Sequence, residues 1–181
     1  SWLLGCDPEP VLIDCPPFSE KTLECLKELT AGKQARIILT SREGHGNIQE
    51  IQDALGWPVL VQEQEAYLLP KLTKLETFEK EHITASGIKL LWTPGPTPGS
   101  CVVLAPEPRN VLFCGRLLIP INSCDLGIFR NPRTFHWPMQ QKSLQKLLKW
   151  IPPNLSPQLA SGACLRGLEP GKLLPWHSLK I

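Results

Sequence analysis

Leu39 to Glu50 reads LTSREGHGNIQE. Ser41, Arg42, Glu43 and His45 crowd a turn between an apolar run, Ala35 to Leu39, and a helical pattern, with glycines at 44 and 46. Hydroxyl, carboxylate and imidazole groups in a short turn at a strand end are the raw material of a metal centre or an acid–base pair. Glu43 and His45, flanking Gly44, form the candidate pair. The competing expectation is a solvated loop in which Glu43 pairs with Arg116 or Arg42. His136, in TFHWP, is a further candidate, against which stands a packing role for Phe135 and Trp137 with His136 exposed. His82, after the charge run Glu79-Lys80-Glu81, and His177, in the tail, read as surface residues.

The elements that must position these groups follow from periodicity. Leu3-Leu4 and Val11 to Ile13 flank Asp7-Pro8-Glu9-Pro10 and read as a hairpin. Ser19 caps a helix with Leu23, Leu26 and Leu29 along one side and Gly32 past its end. Ala35 to Leu39 is a buried strand. Asn47 and Glu50 imitate a capping box before Ile48, Ile51 and Leu55, and Pro58 to Val61 is another strand. This strand and helix alternation argues for an α/β fold with part of its sheet parallel.

From Gly87 the texture changes to short strands, Ile88 to Trp92, Cys101 to Leu104 and Val111 to Phe113, separated by Pro/Gly turns that leave no room for helices. They read as an antiparallel meander. Leu118 to Pro138 is a long proline-containing connection expected to cover something. Leu144, Leu147, Leu148 and Ile151 mark an amphipathic helix ended by Pro152-Pro153, and Gln158 to Ala160 reads as one last strand.

The 181 residues suffice for one packed domain, 1–181, and no linker divides them. A net charge of +2, with basic residues scattered, gives no footprint for nucleic acid or an anionic membrane. No run of about 18 apolar residues occurs, so a soluble protein is expected. Seven cysteines, an odd count with no CxxC, read as reduced core thiols of a cytoplasmic protein, although disulfides stay open. Leu3-Leu4-Gly5-Cys6 imitates a lipoprotein signal but is read as a strand, and residues ahead of Ser1 are left open.

The stretch LLWTPGPTPGSCVVLAPEPRNVLFCGRLL, Leu90 to Leu118, resembles the middle of a metallo-β-lactamase-fold hydrolase of the glyoxalase II type. That family reads T-P-G-H-T-P-G-S there, then a strand, a turn and V-L-F-T-G-D. VLIDC, Val11 to Cys15, resembles its second strand, and IILTSREGHG, Ile37 to Gly46, stands where its T-H-x-H-x-D-H motif would. The resemblance implies a four-layer αββα sandwich of two mixed β-sheets face to face, with the site at one edge between them. It also implies one or two metal ions that lower the pKa of a bound water to about 7, making the attacking hydroxide.

Residue by residue, the metal set is replaced. The first two family histidines fall on Ser41 and Glu43, the aspartate on His45 and the third histidine on Gly46. The histidine of the TPG turn is Pro96, the bridging aspartate is Arg116, and the last histidine, in LASGACL, is Ala163. Proline offers no lone pair, and arginine is a permanent cation that repels a dication. The ancestral zinc, iron or manganese site is therefore expected to be lost, with Arg116 neutralising Glu43 in the vacated space. Cys15 and Cys114 adjoin site-edge loops in the family.

The reading is a degenerate, glyoxalase II-like pseudoenzyme repurposed as a binding or interaction module, with a protein partner or a small ligand in the former active-site cleft. The alternative is a hydrolase of ester or thioester bonds, metal-free through Glu43, His45, Arg116 and His136 or with rearranged ligands. A third possibility is a redox-responsive protein. Solvent-facing aromatics between Phe129 and Pro138 would point to a protein partner there.

Overall fold

The structure is a computed structural model that describes residues 1–106, 108–161, 168–169 and 171–180. Its first sheet runs in the order β1 (Trp2–Leu4), β2 (Val11–Ile13), β3 (Arg36–Leu39), β4 (Val59–Gln62), β5 (Leu75–Phe78). β1 closes the expected hairpin antiparallel to β2, with Trp2 opposite Ile13, and β2 to β5 are parallel. The second sheet contains β6 (Glu81–Ile83), β7 (Lys89–Trp92), β8 (Cys101–Ala105), β9 (Val111–Phe113), β12 (Gln158–Ala160) and β13 (Leu173–Leu174), in the order β13-β12-β9-β8-β7-β6. β6 to β9 are the antiparallel meander, and β12 joins β9 in parallel.

The layers follow from the period of two along each strand. Val11, Ile13, Ile38 and Leu60 of the first sheet meet Leu90, Val103, Val111 and Phe113 of the second in one cluster. Their alternating neighbours Leu12, Ile37, Leu39, Val59 and Val61 face α1 (Glu20–Leu29) and α2 (Ile48–Leu55) through Leu26, Ile48 and Ile51. On the far side, Leu91, Val102, Leu104 and Leu112 pack on Leu144 and Leu147 of α4 (Trp137–Trp150). Strands buried on both faces read as continuous apolar runs, and the stack is αββα.

Several local expectations are corrected. Leu29 is 63 % exposed, because steps of three drift by about 60° per step around a 3.6-residue helix and only Leu26 stays centred on the sheet. Asn47 does not cap α2 with its side chain: its amide donates to Glu50 Oε1 at 3.2 Å. Gln158 to Ala160 is not the last strand, since β13 and β14 (Leu179–Lys180) follow. The 118–138 connection carries a small hairpin, β10 (Ile119–Pro120) and β11 (Leu126–Gly127), which β14 joins in parallel. Between β4 and β6 lie a one-turn helix, α3 (Glu63–Ala66), and β5, too short and too charged to show a period. Cys6, Cys101 and Cys114 are buried, but Cys25 and Cys124 are exposed; Cys164 lies outside the described residues.

Leu60 is fully buried between the sheets. Leu60→Ala should cost about 2–5 kcal/mol in urea unfolding. A loss under about 1 kcal/mol would mean that the two sheets do not share this core.

Candidate functional site

Strand direction assembles the site. Asp14, Thr40 and Glu65 follow the carboxyl ends of β2, β3 and β4, while Arg116 and Ser161 follow β9 and β12. The turn from Thr93 to Ser100, between β7 and β8, reaches the same edge, where the Cys101 amide donates to the Thr40 carbonyl at 2.9 Å. Loops at the carboxyl ends of parallel strands are where α/β sheets leave a crevice.

The quoted turn is held from behind. The Asp14 carboxylate accepts the Thr40 amide at 2.8 Å and the Thr40 hydroxyl at 2.9 Å, and the Cys15 amide donates to the Gly44 carbonyl at 2.9 Å. A Cβ on Gly44 would run into the Asp14 carboxylate, so only glycine lets the turn lie this close. Burial pushes the Asp14 carboxyl up from its ordinary value, against the lowering effect of the Thr40 hydrogen bonds. Ser41 is 1 % exposed, and its hydroxyl has no hydrogen-bond partner among the described residues, a penalty of about 1–3 kcal/mol.

Glu65 braces the turn from the other side. Fully buried, it accepts the Thr97 hydroxyl at 2.6 Å, the Gly99 amide at 2.9 Å and the Arg42 guanidinium at 2.9 Å. It thus ties the 40–46 turn to the TPGPTPGS loop. A Cβ on Gly99 would strike the Glu65 side chain.

Arg116 Nη2 stands 2.9 Å from Glu43 Oε2, an ion pair with side chains 24 % and 31 % exposed. Pairing of Glu43 with Arg116 is thus the arrangement present, while Arg42 is taken by Glu65. The pair walls a cavity of about 310 Å³ that Trp2, Asp14, Cys15, Ser41 and Ser161 also line. On its other side Arg116 and Glu43 meet Pro96, Phe129 and Arg133, so the long connection covers this end of the cleft.

Glu43 and His45 are not brought together around one space. His45 lines a separate groove with Ile48, Leu69 and Leu72. Its Nε2 is buried and unpartnered among the described residues, and burial lowers its pKa, Glu65 pulling it up and Arg42 pushing it down. His136 caps α4, its Nδ1 accepting the Met139 amide at 3.1 Å. Phe129 and Phe135 are exposed, at 40 % and 57 %. Burial raises the Cys15 thiol to about 11 and pushes Cys114 up as well, the opposite of an activated thiolate. His82 is half-buried against Phe78, with rings 6.3 Å apart, and His177 is exposed.

The positions that the resemblance assigned to metal ligands do not fit a metal. Pro96 and Gly46 carry no donor, the Glu43 carboxylate is engaged by a guanidinium, and His45 faces another groove. Ala163 lies outside the described residues. Among the described residues no three His, Cys, Asp or Glu side chains converge as a metal would need.

Matched against solved structures, the chain superposes on BLEG-1, a B3 metallo-β-lactamase, with TM-score 0.70 and 22 % identity over 97 % of this chain and 88 % of that one. TTHA1623, described in a di-iron-bound form, gives TM-score 0.71 and 23 % identity over 98 % and 89 %. ETHE1 from Myxococcus xanthus gives 0.68 and 17 % over 97 % and 73 %. The chain has the metallo-β-lactamase fold. No family model and no curated protein matches its sequence. At the site edge of this sandwich stand Glu65, Arg116 and Glu43.

Sequence reasoning missed Glu65 and Asp14. Asp14 carried a usable signal, an acid directly after an apolar strand. Glu65, in EQEA, carried none, because its partners Thr97 and Gly99 are distant in sequence.

Glu65→Ala should destabilise the fold by about 3–5 kcal/mol in urea, because it strands the Arg42 charge and two loop donors. The depressed His45 pKa means that the unfolded chain binds its proton first. Stability should be full above pH 6.5 and fall as the pH drops below it. His45→Gln should flatten that acid limb in unfolding curves measured across the window; an unchanged slope would show that His45 is not its source.

Proposed function

We propose that this metallo-β-lactamase-fold chain has given up metal-dependent hydrolysis and that its cleft serves binding. The reading rests on the Arg116–Glu43 ion pair, 2.9 Å long, which occupies ground that the resemblance assigns to two metal ligands. In this fold the nucleophile is a water activated by metal, and a guanidinium can neither hold the metal nor act as a base at neutral pH.

The metal-free hydrolase alternative finds no assembled pair to support it. Glu43 is engaged, His45 opens on a different groove, and the His136 Nδ1 that a base would use accepts a backbone amide. The redox alternative is weakened by the raised Cys15 thiol. Exposed Phe129 and Phe135 beside the covered end of the cleft favour a protein partner approaching from that side. Among the described residues no helix is long and apolar enough to cross a membrane.

Elemental analysis of untagged protein, with zinc and manganese titrated calorimetrically and thioester and ester turnover assayed alongside, tests this reading. We expect less than about 0.1 equivalent of metal, no binding heat and no turnover. One or two tightly held equivalents with turnover would return the chain to the hydrolases.

A further inference from the structure

The cleft that the proposed function leaves for binding has a chemistry of its own. Its cavity, about 310 Å³, is at the small end of small-molecule pockets. The carboxylates on its wall are already engaged: both Asp14 oxygens accept from Thr40, and Glu43 is held by Arg116. Neither is set up to bind a cation. What the wall offers instead is donors. Ser41 lines the cavity, and its hydroxyl is buried with no partner among the described residues. The Arg116 guanidinium is a planar fork suited to two-point contact with an oxyanion, and its Nη2 stands 2.9 Å from Glu43 Oε2. Trp2, whose ring packs edge-on against Phe113 at 5.7 Å, and Cys15 give the same cavity an apolar side.

We propose that this cavity binds the oxyanion head of a small organic acid, a carboxylate or a phosphate ester, with Arg116 as its anchor, Ser41 as a second donor and Glu43 as the counter-ion that the ligand displaces. The proposal deepens the binding reading above and rests on it. Glu43 then has two jobs: it neutralises Arg116 while the cavity is empty, and it sets the affinity threshold that an incoming anion must exceed. The apolar side supplies selectivity for an anion carrying a small carbon body over a bare inorganic ion.

Benzoate and inorganic phosphate, titrated into the whole protein in the presence of a chelator and followed by calorimetry and amide chemical shifts, test this. Saturable binding of either probe is expected, with shifts centred on Gly44, Gly115 and Arg116; tighter benzoate would assign the carboxylate source and tighter phosphate the ester. Arg116→Met should weaken binding by about tenfold or more, and Ser41→Ala by a smaller factor. Glu43→Gln should tighten it several-fold, a gain that no folding defect can imitate. Absence of saturable binding by the wild-type protein, an R116M variant that binds equally well, or an E43Q variant that binds more weakly would overturn the proposal. Failure here with no metal uptake removes only the oxyanion site, whereas metal uptake with turnover removes the non-hydrolytic reading beneath it.

Discussion

Glu65 is the group on which the cleft depends. A fully buried carboxylate costs several kcal/mol in lost hydration, and here the Thr97 hydroxyl, the Gly99 amide and the Arg42 guanidinium offset that cost. Those donors come from the two loops that flank the cleft, one from each sheet's edge. With Glu65 in place, the 40–46 turn and the TPGPTPGS loop hold one relative position, and Gly99 is required because nothing larger fits beside the carboxylate. The two sheets supply the core, but this one side chain fixes the geometry at their open end.

On that frame the charges of the site are paired locally. A metal centre concentrates carboxylates and imidazoles around a dication. Here the charge at the centre is the guanidinium of Arg116, balanced by a single carboxylate, while Asp14 is turned inward onto Thr40. A half-exposed ion pair adds little stability by itself. Its consequence is chemical: it places a guanidinium, a hydrogen-bond donor, at the cleft.

Much of the architecture was legible because it is written in local pattern. The strands expected at Val11 to Ile13, Val111 to Phe113 and Gln158 to Ala160 matched β2, β9 and β12 residue for residue, and the Ser19 cap makes its bond to the Thr22 amide. The Arg116–Glu43 pair was legible for a different reason: a cation and an acid at two positions that the resemblance assigns to metal ligands must meet if the loops keep their places. What stayed hidden is non-local. Glu65 gains its role from residues 32 and 34 positions away, the short β13 and β14 exist only by pairing with strands formed elsewhere, and His45 leaves Glu43 because the turn's backbone aims it at a second groove.

The most direct test of the central claim, that an ion pair has taken the place of the metal, is an anomalous-scattering map from crystals soaked in zinc. No metal peak is expected within bonding distance of Ser41, Glu43 or Asp14, with the Arg116–Glu43 contact still near 2.9 Å. A zinc peak there, with Glu43 turned away from Arg116 and coordinated to the ion, would contradict it.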